Sequence, residues 1–183
     1  MDLESPCVSI GLPPGATCGT IRGRHHSHLF LEGPAVRSYD VLAESTAPPA
    51  VVWALLLDPR TWPAWSGAGE LDVGRSAGLS PDGRDEVGAI RAFRAGRAVT
   101  RERVAGLTPG KRFAYETVKS PQLADHQATI DLHEIPGGGT RIRWQGTYSA
   151  RGIGLRSSER QVQRTMARTA RRLAEYAAGQ NVR

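Results

Sequence analysis

The chain has 183 residues, 39% of them hydrophobic, which is enough for one domain with its own core and too little for two of ordinary size. No apolar run approaches the roughly 20 residues of a membrane span, and the acidic start Met1-Asp2-Leu3-Glu4 is unlike a secretion signal, so a soluble cytoplasmic protein is expected. The net charge of +6 is local: residues 151–183 hold eight arginines against Glu159 and Glu175, and everything before them sums to zero.

Residues 1–36 carry Pro-Pro-Gly, scattered glycines and an Arg-Gly-Arg-His-His-Ser-His run without any sustained period. They are read as a disordered extension. Both cysteines, Cys7 and Cys18, lie in it, so a disulfide is not expected to hold the fold. His25, His26 and His28 have metal-binding chemistry, but the run reads more simply as a solvated polar stretch, and no metal site is expected.

From Ser38 the pattern changes. Tyr39 to Ser45 alternates as a strand, and Pro48-Pro49 then suits the first turn of a helix that places Val52, Leu55 and Leu56 on one side. Asp58-Pro59 stops that helix and starts a second short turn holding Trp62, with Trp62 and Trp65 assigned to a pocket mouth and Trp53 to the core. Residues 67–85 read as irregular. Strands are then predicted over 88–94, 97–104, 112–118, 126–134 and 140–148, and their short connections imply an antiparallel meander. Ser158 and Gln161 form a capping-box pattern and Gly179 suits a helix end, which predicts a helix of about 20 residues. Its apolar stripe is Val162, Met166, Thr169, Ala170, Leu173, Tyr176 and Ala177, with Arg160, Arg164, Arg168 and Arg171 opposite.

Several separated motifs carry a family resemblance: Ala47-Pro48-Pro49-Ala50-Val51-Val52-Trp53, Asp58-Pro59, Trp62-Pro63-Ala64-Trp65, Gly88-Ala89-Ile90-Arg91, Glu102-Arg103-Val104, Arg112-Phe113-Ala114-Tyr115 and Gly138-Gly139-Thr140-Arg141-Ile142-Arg143-Trp144. In this order they resemble the START-like (SRPBCC) superfamily, in its bacterial polyketide cyclase/dehydrase and lipid-transport branch, over about residues 38–178. The resemblance implies an α+β helix-grip fold: a curved antiparallel sheet of six to seven strands around a long C-terminal helix, with two short helices after the first strand. The domain would span 37–179, with 180–183 a tail. It further implies a cavity between helix and sheet, used by relatives to cyclise polyketide chains or to hold hydrophobic ligands.

Side-chain alternation selects the residues facing that cavity. With Ala95-Gly96 as the turn of the first hairpin, Phe93 lies opposite Ala98 and Arg91 opposite Thr100, and Ala89, Arg91, Phe93, Thr100, Glu102 and Val104 face inward. Arg91 and Glu102 then stand diagonal on the inner face. Three readings of them stay open: a site pair, an ion pair that stiffens the sheet, or a one-residue slip that puts both in water. Alternation also turns Phe113, Tyr115, Thr117, His126, Ala128, Ile130, Leu132, Ile142, Trp144 and Tyr148 inward.

Two functions fit. As a cyclase or dehydratase, the protein would use His126 or Glu102 as base and Arg91 or Tyr115 as donor to an enolate, with Trp65, Phe93, Tyr115, Trp144, Tyr148 and Met166 binding the ligand. As a carrier for a lipid or aromatic metabolite it would need only the cavity and a gate. No motif supports a cofactor. The arginine stripe is either a solvated face or a dock for an acidic acyl carrier protein or an anionic membrane surface, nucleic acid is not an expected partner, and the chain is expected to be a monomer or a homodimer.

Overall fold

The protein, seen in a computed structural model, is described over residues 36–121, 123–149 and 155–180. The extension and its cysteines and histidines lie outside the described residues, except Val36, which opens the first strand.

Strand β1 (Val36–Ser45) leads into helix α1 (Pro49–Leu57) and the single turn α2 (Trp62–Trp65). Strands β2 (Glu70–Leu71), β3 (Ile90–Ala95), β4 (Ala98–Thr108), β5 (Arg112–Lys119), β6 (Ala124–Glu134) and β7 (Thr140–Ser149) follow, and helix α3 (Leu155–Gln180) closes the chain. The strands form one antiparallel sheet in the order β1-β7-β6-β5-β4-β3-β2, a meander with the first strand returned to the far edge. Register shifts at Arg101/Glu102, Val104/Gly106 and Ala124/Gln127 are bulges, which bend strands and deepen twist. They curve the sheet toward α3.

The irregular stretch 67–85 contributes the seventh strand. β2 pairs with β3, and a 3-10 turn over Val73–Arg75 follows it. Two residues are too few to show alternation, which is why the sequence pattern misses this strand.

The first hairpin turns one residue later than its sequence suggests. Gly96 and Arg97 form the turn, and Ala95 pairs with Ala98. Gly96 takes φ 61°, which a two-residue hairpin turn needs at its first position and which alanine would adopt only under strain. Moving the turn by one residue changes the pairing sum by two, so the faces stay as predicted while the partners change. Arg91 stands directly opposite Glu102, and Phe93 opposite Thr100.

Helix α3 runs 26 residues, about 39 Å at 1.5 Å each, longer than expected at both ends. Gly179 lies within it rather than after it. Ser158, the expected cap, falls inside the helix, and its side chain lies outside the described residues. Met166, Thr169, Ala170, Leu173, Ala174 and Ala177 are buried against the sheet, and Arg160, Arg164, Arg168, Arg171 and Arg172 are exposed. The three buried alanines let the helix approach β1 closely, and Leu173 alone contributes roughly 2 kcal/mol by leaving water.

Trp62 and Trp65 are core residues, at 3% and 1% exposure, not rim residues. Their rings lie 4.8 Å apart, and Trp62 stacks on Phe93. Trp53 is only half-buried at the edge of the core.

Candidate functional site

Arg91 fixes one wall. Its guanidinium is buried, donates from Nε to Asp85 Oδ2 at 2.9 Å, and donates from the other two nitrogens to the carbonyls of Leu56 and Leu57 at 2.8 and 2.6 Å. Those carbonyls are at the C-terminus of α1, where helical oxygens lack intrahelical partners and a cation is favoured. The same guanidinium sits 5.2 Å from the Trp62 ring centroid and 4.9 Å from that of Phe113. Asp85 also accepts from the Ser80 amide at 2.8 Å. Burial lowers the Arg91 pKa while the charge of Asp85 raises it. Arg91 thus bolts the α1–α2 corner onto β3.

Between α3 and the concave sheet face lies a cavity of about 340 Å³. Trp62, Phe93, Tyr115, Trp144 and Met166 form its apolar lining. Thr100, Glu102, Thr117, His126 and Thr169 add polar atoms, and Ser66, Gly67, Ala68, Ser120, Leu123 and Thr165 line it as well. An apolar hollow with few convergent polar groups is the usual form of a small-molecule site, and this one is at the small end of the range.

A hydrogen-bonded row crosses the inner face. Tyr39 on β1 reaches over β7 to bond His126 on β6, Oη to Nε2 at 2.8 Å, and Thr117 Oγ1 on β5 meets His126 Nδ1 at 3.2 Å. Gly146 lets the row cross, because a Cβ there would come within 2.5 Å of Tyr39 Oη and Cζ. Asp125, at φ 50°, sits in the β6 bulge next to His126, whose side chain keeps the inward phase of Ala128 and Ile130. Burial lowers the His126 pKa to about 4, so the ring is neutral at pH 7, with one nitrogen donating and the other accepting. Burial also holds the phenols of Tyr39 and Tyr115 above their ordinary values. The Trp144 indole N–H lies near enough to both to favour their ionised forms, but makes no hydrogen bond of ordinary geometry.

Glu102 differs from its neighbours. It lines the cavity, and no hydrogen bond to its carboxylate occurs among the described residues. Burial raises its pKa to about 7, against the opposing pull of Arg91. A carboxyl near half-protonation at neutral pH, facing a hollow, is suited to give or take a proton.

Of the residues selected from sequence, Glu102, His126, Tyr115, Phe93, Trp144 and Met166 come together on the cavity. Arg91 stands behind that wall in its ion pair, Trp65 lies behind Trp62, and Tyr148 is buried away from the lining, its hydroxyl without a partner among the described residues. Sequence reasoning missed Tyr39, Asp85 and Gly146. Tyr39 was open to the same alternation that found Trp144. Asp85 sits in an irregular stretch and Gly146 acts by lacking a side chain, so neither has a local signal. Among the described residues no group of three His, Cys, Asp or Glu side chains is placed to hold a metal ion, and no helix is long and apolar enough to cross a membrane.

Residues 38–178 match the family model described as polyketide cyclase / dehydrase and lipid transport. No curated protein matches the chain in sequence. Among solved structures it is similar to the protein XoxI from Bacillus cereus, with 15% identity, 80% of this chain and 98% of that one covered, and a TM-score of 0.59. Ara h 8.0201 gives 15% identity, 79% and 99% coverage, and a TM-score of 0.60. CalU16 from Micromonospora echinospora gives 19% identity, 79% and 76% coverage, and a TM-score of 0.57. At these identities the likeness is one of fold.

Proposed function

Because the chain belongs to the polyketide cyclase/dehydrase and lipid transport family, we propose that its cavity binds a compact hydrophobic molecule and acts on it as a cyclase- or dehydratase-like enzyme. The family and the helix-grip fold support a hydrophobic-ligand-binding fold. The reaction is our reading. The observation that supports it is Glu102, the one cavity carboxyl with a pKa near 7 and no partner among the described residues.

Aldol closure and dehydration need a base beside a carbonyl, a donor for the developing enolate, and walls that fold the chain. Glu102 takes the proton, Tyr115 donates, and Trp62, Phe93 and Trp144 supply the walls. His126 stays neutral and holds Tyr39 in place. A volume of about 340 Å³ suits one or two rings rather than a two-chain lipid. The test is mass analysis of ligand released from purified protein, then incubation of a matching poly-β-carbonyl substrate with wild type and Glu102→Gln. Conversion by wild type with loss in the variant is expected; equal conversion by both overturns the role of Glu102.

The carrier reading has one observation in its favour: both nitrogens of His126 are already bonded to hydroxyls, so its imidazole is tied down rather than poised. Ligand retained without any conversion would establish it. The five arginines of α3 that are exposed among the described residues suit an acidic acyl carrier protein as the partner of the enzyme reading.

A further inference from the structure

On the outer side of the sheet, where the β3–β4 hairpin meets the end of β5, Arg75, Arg97, Arg101 and Lys119 line a second hollow of about 730 Å³. Ala98 and Ser120 line both this hollow and the cavity, so the two adjoin at that rim. We propose that the outer hollow binds the phosphate group of an amphiphilic ligand whose apolar part enters the cavity. This rests on the reading of the cavity as a hydrophobic-ligand site.

The first support is an unbalanced charge. Arg101 and Lys119 are direct cross-strand partners, an arrangement that destabilises a sheet when both are cations. No acid among the described residues pairs with Arg97, Arg101 or Lys119. The nearby acids are engaged elsewhere: Asp72 with Arg75 at 2.6 Å and Arg94 at 3.7 Å, and Glu116 with Arg103 at 2.7 Å. The rest of the outer face follows the opposite rule, with Arg103–Glu116, Arg112–Asp131, Arg141–Glu44 and Arg143–Asp40 each matching a cation to an acid on the next strand.

The second support is an orphan donor. Arg101 Nε is buried and has no hydrogen-bond partner, whereas all three nitrogens of Arg91 are engaged. A buried guanidinium N–H without an acceptor carries its full desolvation cost, and Arg101 is itself one of the residues that line the hollow. Three uncompensated cations around one hollow suit a phosphate dianion better than a carboxylate, which carries half the charge and fewer acceptor oxygens.

Calorimetric titration of the full-length protein at low salt tests this with decanol, decyl phosphate, the decanoyl thioester of 4′-phosphopantetheine, and inorganic phosphate. At least one phosphorylated probe is expected to bind roughly tenfold tighter than decanol. Preference for decyl phosphate indicates a phosphate on the ligand itself; preference for the thioester indicates one at the far end of a tethering arm. The double variant Arg101→Met/Lys119→Met should lose the phosphate advantage, keep its affinity for decanol, and melt no lower than wild type. Equal binding of decanol and both phosphorylated probes overturns the proposal, as does a variant that loses decanol affinity or melts lower. If decanol fails to bind while inorganic phosphate still stabilises wild type and not the variant, the cavity reading falls and the anion site stands alone. If neither binds, both fall.

Discussion

The phenol of Tyr39 lies across Gly146, its cross-strand partner, so closely that a methyl group on residue 146 would sit 2.5 Å from the phenol oxygen. The Tyr39–His126 hydrogen bond therefore depends on a residue that contributes no atoms to it.

Gly146→Ala should displace Tyr39, cost about 1–3 kcal/mol by overpacking, and leave His126 without its Nε2 partner. Urea unfolding reads the first effect, and the imidazole nitrogen shifts in NMR read the second. Unchanged His126 shifts would show that the row does not need the gap.

Glu102 and His126 should impose opposite pH dependences on stability. The folded Glu102 pKa of about 7 is above its ordinary 4.5, so the native state holds the extra proton; its contribution is complete below pH 4.5 and is lost as pH rises to 7. The folded His126 pKa of about 4 is below its ordinary 6.5, so the native state holds fewer protons; its contribution is complete above pH 6.5 and is lost as pH falls to 4. Between these limits the slopes oppose, and wild type should be nearly flat. Glu102→Gln should leave stability rising from pH 4.5 to 6.5 by about 1–3 kcal/mol, and His126→Asn should leave it falling by a similar amount, less any relief from water reaching Glu102 through the cavity. Denaturant titrations at four pH values check both signs.

Arg91→Met should destabilise the fold by about 3–5 kcal/mol, because Asp85 is left buried without its cation and two carbonyls at the end of α1 lose their donors. Adding Asp85→Asn should recover part of the loss. Read only as an enolate donor, Arg91 would be dispensable for the fold; its buried ion pair with Asp85 gives the opposite expectation. Equal melting temperatures for wild type and Arg91→Met would remove the bolt from the account.

Tryptophan emission should report occupancy of the cavity. Trp62 and Trp144 line it, while Trp53 does not. Binding of decanol, which does not absorb in this range, should shift the emission of wild type and Trp53→Phe alike and shift Trp144→Phe much less. A full shift in Trp144→Phe would place the ligand elsewhere.

The strands were legible wherever they alternate over several residues, and the inward set from Phe113 to Tyr148 is buried or half-buried as the pattern requires. Glu102, Tyr115 and His126 reach one cavity because each continues its strand's phase, and alternation registers phase directly. The partner of Arg91 was not legible. Asp85 is six residues away through an irregular stretch, where nothing periodic points to it, and Glu102, which stands opposite, made a plausible substitute. The hairpin register was missed by one turn position because Ala95-Gly96 and Gly96-Arg97 both contain the needed glycine, and only the requirement for positive φ at the first position separates them.

The Arg91 anchorage also governs where a guest can pass. With the end of α1 and the Trp62 ring secured to β3, that flank cannot yield without breaking a buried ion pair. The Ser66–Ala68 bend, Leu123 and the exposed Thr165 of α3 line the same cavity and take no part in that ion pair, so a guest passing between them would leave the Arg91 anchorage in place.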